Sequence, residues 1–550
     1  PSGSRRRLGL VSAEPASEFH FSPRPNRAAE IQWRPWSPEA FEQAKAEDRP
    51  ILLSISAVWC HWCHVMDETS YSDSAVIDLV NSEYVPVRVD NDVRPDINLR
   101  YNMGGWPTTA FLTPEGDILT GATYLPPEQM ADALSKISSY YRLNKPEVVA
   151  RVLEGRKRAG SMVPASAGPL DRGLVDRVLG NVESAYDRTY GGFGNAPKFP
   201  QTDAIALLAE QSALRREPQL MEMAKHTLAQ MAGGGTYDKV EGGFFRYSTT
   251  QDWSVPHFEK MLEDHAGLIS ALALTGQTEI LDDAVRYLDT VLRDPETGLY
   301  AGSQDADEEY YAKDAEGRAS LTPPYVDRRV YVAWNCALAV AYLEADLRLD
   351  RPALRRHAEQ ALEAVFGRYA APDGALLHTD GVGGQLSDQV WGLLAAARMG
   401  WSDRARLLLD HLERQYWDPE LGGYFDREAS GELGRLGERV KPMGENAIAA
   451  IALHELGETD RARRALESVA SLPRQYGIMA AVFARALDRV AREQVKVTTR
   501  SRDAIRAAAL VYPYLVAEED GDGRTVVCIG TTCLQPMSSP EEVTQALSAL

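Results

Sequence analysis

Between residues 171 and 490 the chain keeps returning to one piece of punctuation: an aromatic residue and an aspartate, then two glycines and another aromatic. Tyr186-Asp187 precedes Gly191-Gly192-Phe193, Tyr237-Asp238 precedes Gly242-Gly243-Phe244, and Trp417-Asp418 precedes Gly422-Gly423-Tyr424; Asp294 to Tyr300 and Asp373-Gly374 are weaker copies. Each separates two stretches with the 3.6-residue hydrophobic period of a helix. That period predicts outer helices near 171–186, 219–232, 278–292, 352–368, 402–416 and 458–470, and inner helices near 202–214, 257–275, 330–348, 387–399, 443–456 and 473–488. Six pairs imply a closed (α/α)6 toroid or, from the same pattern, an open helical solenoid.

Polar residues gather where the inner helices should begin. Ser254 is placed to cap a helix opened by Pro256, on which His257, Lys260 and Asp264 would share a face. Other starts offer Lys198 and Asp203, Trp334 and Asn335, Asp388 and Trp391, and Lys441, Glu445 and Asn446; a connecting loop adds Gln304, Asp305 and Asp307. Singly, such residues serve as caps and dipole-compensating acids. A toroid would bring its inner N-termini to one rim, so His257, Glu259, Asp305, Asp388 and Glu445 are expected in one pocket, with Lys260, Asp264, Asp307 and Asn335 completing a binding set. Aromatics beside carboxylates and amides suit a carbohydrate or another small polar ligand.

The N-terminal part is governed by Trp59-Cys60-His61-Trp62-Cys63-His64, two thiols two residues apart behind an apolar run, Pro50 to Ser56, that reads as a buried strand. A helix N-terminus there would stabilise a thiolate at Cys60, and a protonated His61 or His64 would add to it. Downstream, Pro107 opens a strand in Met103 to Leu112, where it removes a ladder donor. This arrangement resembles the thioredoxin fold. The resemblance implies that Cys60 attacks, Cys63 resolves and Pro107 is the cis-proline beside them. Ser54 stands where thioredoxin buries an aspartate, and His61-Trp62 replaces Gly-Pro. The same residues also satisfy the C-x-x-C-H haem-attachment pattern, which calls for an exported protein; Arg5, Arg6 and Arg7 are followed by no apolar segment of that kind. A structural zinc would need ligands beyond Cys60, Cys63 and one histidine, and there is no second C-x-x-C. Neither metal nor cofactor is expected.

A chain of 550 residues is too long for one core. The reading is a mobile arm at 1–29, a redox domain at 30–145, a linker at 146–170 centred on the small residues Ser161 to Pro169, the helical domain at 171–490 and a small α/β appendage at 491–550. The 79 acidic against 59 basic side chains leave a charge of −20, which repels a phosphate backbone and argues against nucleic acid. No apolar run approaches the ~18 residues of a membrane span. Five cysteines make no disulfide framework and fit a reducing cytoplasm. Cys336, mid-helix, reads as core. Cys528 and Cys533 read as a second dithiol or as two loop-packed residues.

Over most of its length the chain is similar to the thioredoxin-domain family related to spermatogenesis-associated protein 20. The matching stretches are Ile31 to Trp36, Cys60 to Met66, Arg94-Pro95-Asp96, Gly104 to Leu112, Gly191 to Pro200, Gly242 to Leu262, Ser303 to Asp307 and the closing Cys528 to Pro536. Trp59 departs from the small polar residue expected there, and the stretch from Asp307 to Tyr331 is short for the family. The resemblance implies a thioredoxin-like domain joined to an (α/α)6 domain like those of six-hairpin glycosidases and N-acylglucosamine 2-epimerases. Two functions fit: a thiol–disulfide oxidoreductase with a redox partner protein and a ligand-binding toroid, or a carbohydrate epimerase or glycosidase with a regulatory thioredoxin-like domain. An epimerase would use His257 as base; a glycosidase would draw two carboxylates from Glu259, Asp264, Asp305, Asp388 and Glu445.

Overall fold

The computed structural model describes residues 19–162, 167–429, 433–519 and 524–549. They fall into two compact units: residues up to 156 together with 433–436, and the remainder.

The first unit is built on one sheet. Strands β1 (Ile51–Ser56), β2 (Val85–Asp90), β3 (Thr108–Leu112) and β4 (Ile118–Ala122) lie in the order β2-β1-β3-β4, with β1 parallel to β2 and antiparallel to β3. β1 is buried throughout because both sheet faces are covered. Ile51, Leu53 and Ile55 enter one core with Val85, Val87 and Tyr101, while Leu52 enters the other with Met66, Val76 and Phe111. Helices α1 (Pro38–Glu47) and α4 (Pro95–Tyr101) cover the first face; α2 (His61–Glu68), α3 (Ser74–Glu83) and the start of α5 (Pro127–Met162) cover the second.

Two expectations need amending here. Of the arm, residues 1–18 lie outside the described residues, but from 19 onward it is held down: Ser22 N donates to Asp67 and the Arg88 guanidinium lies over the Phe21 ring. Of the linker, 163–166 lie outside the described residues and 146–162 are helical. Pro146 is tolerated because the helix kinks at Asn144, so that proline falls in the first turn of a new helical segment.

The second unit holds the helix pairs. The inner helices are α7 (Thr202–Arg215), α9 (Leu262–Thr275), α13 (Val332–Leu349), α15 (Leu386–Arg398), α17 (Met443–Glu455) and α20 (Ala481–Val490). Each packs on the next and α20 packs back on α7, which closes the toroid and excludes the open solenoid. The outer helices are α6 (Gly173–Ala185), α8 (Pro218–Gly233), α10 (Thr278–Tyr287), α14 (Pro352–Arg368), α16 (Ser402–Gln415) and α18 (Thr459–Glu467). Inner helices are apolar nearly all round, as in the buried run Ala447 to Leu453, whereas α16 buries only Ala405, Leu408, His411 and Leu412.

Two inner helices differ from expectation. α9 starts at Leu262 rather than 257, because 256–261 is used in short strands: β6 (Pro256–His257) pairs with β5 (Tyr247–Ser248), and β7 (Lys260–Met261) pairs with β8 (Ser303–Gln304), which pairs with β9 (Val326–Asp327). Ser254 accordingly caps no helix and bonds Asp252. The helix expected at 473–488 breaks after α19 (Pro473–Tyr476), where Gly477 has φ +54°, before α20 begins. The loop after β8 carries α11 (Glu308–Tyr311) and α12 (Ala315–Ala319).

Below the rim, charged side chains from the inner ring meet. Arg485 pairs with Glu210 at 2.8 Å, Arg398 with Glu455 at 3.0 Å, and Arg489 also with Glu455; Glu344 accepts from Ser270 at 2.7 Å and pairs with Arg348 at 3.2 Å. Burial opposes ionisation of Glu344, but Arg348, Arg398 and Arg485 overcome it and hold its carboxyl well below the usual range. Arg348 also donates to the carbonyls of Ala509 and Pro513 in the tail. There β10 (Val495–Thr498), β11 (Val516–Glu518), β12 (Val526–Ile529) and β13 (Thr532–Cys533) form a sheet in the order β11-β10-β12-β13, packed on α21 (Arg502–Val511) and α22 (Pro540–Leu547).

Candidate functional site

In the first unit Cys60 occupies the N-cap of α2, its sulfur accepting the Cys63 N–H at 3.1 Å, and the two cysteines form a disulfide. A sulfur at this position faces the helix's unpaired N–H groups, the local condition that favours a thiolate. The Trp106–Pro107 peptide is cis, and Thr108 pairs with Ile55, so Pro107 lies at the end of the sheet where β1 runs out toward Cys60. Trp59 is buried, donates to Asp92 at 2.6 Å and packs edge-on against Trp106. Trp62 is 47% exposed beside Tyr124, and His61 is half-buried against Trp62.

The expectation that a protonated His64 assists the thiolate is overturned. Burial, with His20 and Arg88 nearby, pushes His64 down to about 3, so it is neutral at neutral pH. The unit does bury aspartates, though none at position 54: Asp92 accepts from Trp59, and Asp67 of α2 takes a two-pronged bond from Arg88 at 2.8 and 2.9 Å. Both Asp67 oxygens are engaged by that guanidinium, which ties α2 to β2.

In the second unit the residues expected at the rim divide. His257 Nδ1 and Glu259 Oε1 are 2.6 Å apart, and His257 stacks on Tyr247, which stacks in turn on the exposed Phe199. Burial disfavours the histidine's charge, but Glu259's hydrogen bond and charge outweigh it and raise the pKa above the ordinary value. The second Glu259 oxygen is buried with no hydrogen-bond partner. Asp264, in the first turn of α9, lies 4.0 Å from Arg246; burial lifts it to about 7 against that arginine, and the charges of Glu263 and Glu259 add to the effect. Glu445, in the first turn of α17 across the ring, is raised by burial and by Glu263 and Asp426. Continuing the β7–β8 register by one residue puts Asp305 across from Glu259; Asp305 is buried and accepts the N–H of Ala306.

The other candidates turn out to hold the repeat together. Lys260 Nζ bonds Asp238 at 2.7 Å and the Gly242 carbonyl at 2.9 Å, with Arg318 on the same carboxylate. Lys198 does the same to Asp187 and Gly191, and Lys441 to Asp418 and Gly422. Since 256–261 is extended, Lys260 points away from His257 and Glu259, and burial lowers it to about 8. Asn335 grips the N–H and C=O of Tyr300, and Asn446 those of Tyr424, just past the glycine turns. Asp388 is fully buried, accepting from Ala333 and Gln385 N–H groups and meeting His378; Asp307 caps α11. The residues that sequence reasoning missed are Arg246, Tyr247, Phe199 and Glu263. Their signal was position: each sits beside a repeat element without being part of the repeated pattern.

Residues 23–155 match the Thioredox_DsbH family model, described as a protein of unknown function, DUF255. The matched stretch contains both cysteines of the first disulfide. Mouse spermatogenesis-associated protein 20 is 35% identical over 311 residues, covering 50% of this chain and 39% of the mouse protein. An uncharacterized protein of Caenorhabditis elegans is 33% identical over 304 residues, covering 50% of this chain and 41% of its own length. The chain thus spans well under half of these relatives. Among solved structures, a D-mannose isomerase is similar at a TM-score of 0.45 and 13% identity, covering 58% of this chain and 98% of that one. Among the described residues no helix is long and apolar enough to cross a membrane.

Proposed function

We propose that the chain is a thiol–disulfide oxidoreductase. The observation that carries this reading is the Cys60–Cys63 disulfide at the N-cap of α2, at the sheet end that also holds cis-Pro107. In the reduced protein the Cys60 thiolate attacks a substrate disulfide, forming a mixed disulfide and releasing one substrate thiolate. Cys63 then attacks Cys60, releasing the second substrate thiol and closing Cys60–Cys63; an external dithiol restores the reduced form. That cycle calls for a redox partner protein, and five cysteines in 550 residues support a reducing, cytoplasmic setting for it. With dithiothreitol as electron source, the full chain should speed the reduction of insulin disulfides well above the uncatalysed rate; a rate equal to that of dithiothreitol alone sinks the reading.

A second reading concerns the toroid, where the His257–Glu259 pair beside Asp264 favours binding of a hydroxyl-rich ligand such as a carbohydrate, with the Phe199–Tyr247 rings as stacking faces. Acids kept at a binding mouth are held there at a cost to stability. Folded Asp264 keeps its proton to about pH 7, while the unfolded chain releases it near 3.8. Between those values the folded state binds more protons, so stability falls as pH rises. Asp264→Asn should therefore stabilise the protein by about 2 kcal/mol at pH 8, a figure reduced for screening by water in the mouth, and by almost nothing at pH 4. Urea unfolding at the two pH values checks this, and an equal or negative change at pH 8 removes the support.

A further inference from the structure

Cys528 and Cys533 form a second disulfide, across the hairpin of β12 and β13. We propose that this pair is a second redox couple, a reducible cystine that takes two electrons from an external dithiol. It goes beyond the oxidoreductase reading of Cys60–Cys63 and does not depend on it.

The pair lies outside the tail's core. Val527 is fully buried among Val495, Val497 and Val543, whereas its neighbour Cys528 points to the opposite face, half-buried, and Cys533 is exposed. The cross-link also has little structural work to do. It joins residues already paired across a two-residue turn, with Ile529 opposite Thr532, and β12 is independently held by its ladder with β10. Closing so short a loop restricts the unfolded chain least. Finally, Lys496 sits directly across from Cys528 in that ladder, on the same face, where it is also paired with Glu518. A cation there favours the thiolate form of Cys528, and a sulfur that is easily a thiolate is a good leaving group.

The chemistry follows from exposure. A donor thiolate attacks the exposed Cys533 sulfur, the Cys528–Cys533 bond breaks, and Cys528 leaves as thiolate. The donor's second thiol attacks the mixed disulfide and frees Cys533. The donor ends as a disulfide, and the hairpin has gained two electrons and two protons. Proteins of the C-x-x-C type and small dithiols belong to the donor class.

The test uses the full chain carrying Cys60→Ser and Cys63→Ser, so that one disulfide remains. The folded protein is treated with dithiothreitol, or separately with reduced glutathione, then alkylated and read by peptide mass spectrometry; the unsubstituted chain, read at the same peptides, serves if the variant folds poorly. The expected result is complete alkylation of Cys528 and Cys533 without denaturant, a glutathione adduct on Cys533 rather than Cys528, and several-fold slower reduction in Lys496→Met. The melting temperature of the reduced form should stay within a few degrees of the oxidised form. A pair that resists reduction until denaturant is added, or whose reduction lowers melting by more than about 5 °C as loss of a structural staple would, overturns the proposal.

Discussion

Cys60→Ser is expected to cut insulin turnover by at least about a hundredfold, because it removes the thiolate that starts the exchange in the first unit. Cys63→Ser should behave differently. Cys60 still attacks but nothing releases it, so a mixed disulfide with substrate should accumulate and be trapped on Cys60. The asymmetry comes from position: Cys60 is the N-cap residue of α2, at the positive end of the helix, while Cys63 lies inside the first turn. Reduced wild type should accordingly be alkylated first at Cys60 near neutral pH. Equal labelling of the two, or labelling of Cys63 first, would reverse the assignment. No help is expected from His64, which stays neutral.

Asp238→Ala should be among the most damaging substitutions in the helical unit. Its carboxylate holds Lys260 and Arg318, whose side chains are 0% and 5% exposed, so its loss leaves buried Lys260 without a carboxylate and Arg318 with Glu241 alone. Removing one member of a buried ion pair typically costs about 3–5 kcal/mol. The homologous positions in the repeat give an internal control: Asp187 and Asp418, 9% and 13% exposed, each hold a single lysine. Alanine there should cost less, in the order Asp238, then Asp187, then Asp418. Urea unfolding of the three variants at neutral pH checks the order; equal losses would mean that Arg318 and burial add nothing at Asp238. The effect has a pH signature. Burial opposes ionisation of Asp238, yet Arg318 and Lys260 hold its pKa below 3.8, so its contribution is present above that value and fades as pH falls through the folded pKa.

Much of the fold was legible because the glycine turns are chemically specific. Gly191, Gly242 and Gly422 all take positive φ, and the aspartate four residues before each is what the lysine reaches for. The period was misleading at 257–261, where His257 and Lys260 continue the helical spacing that leads to Asp264 but the backbone is extended. Spacing alone does not reveal that Lys260 is bound to a turn more than fifteen residues back. The same recurrence misled the choice of site residues. Lys260, Asn335 and Asp388 drew attention as polar groups at helix starts, yet Lys260 and Asn335 have counterparts in Lys198, Lys441 and Asn446, and a contact made in several repeats belongs to the repeat. His257 and Glu259 belong to one pair alone. In the first unit, the strand, the helix start at Cys60 and Pro107 were readable from local pattern, while Asp67–Arg88 was not, because the partners come from different elements and only the packed sheet brings them together.

The charged layer beneath the rim has a mechanical meaning. Inner helices rich in alanine present smooth surfaces, and smooth helices packed side by side can exchange one setting for another a turn away at small cost in contact area. Glu210, Arg398, Glu455, Arg485 and Arg489 oppose this, since sliding α7, α15, α17 or α20 by ~5.4 Å would pull buried charges away from their partners on the neighbouring helix. They act as keying pins. Arg398 and Glu455 stand twelve residues below the starts of their helices, about 18 Å. The height of Glu445 above Glu455 is thereby fixed from the far end of the barrel, and the Ser270 hydroxyl bonded to Glu344 ties α9, with Asp264 at its rim, to the same layer, leaving the loops above free to vary without moving the side chains they surround.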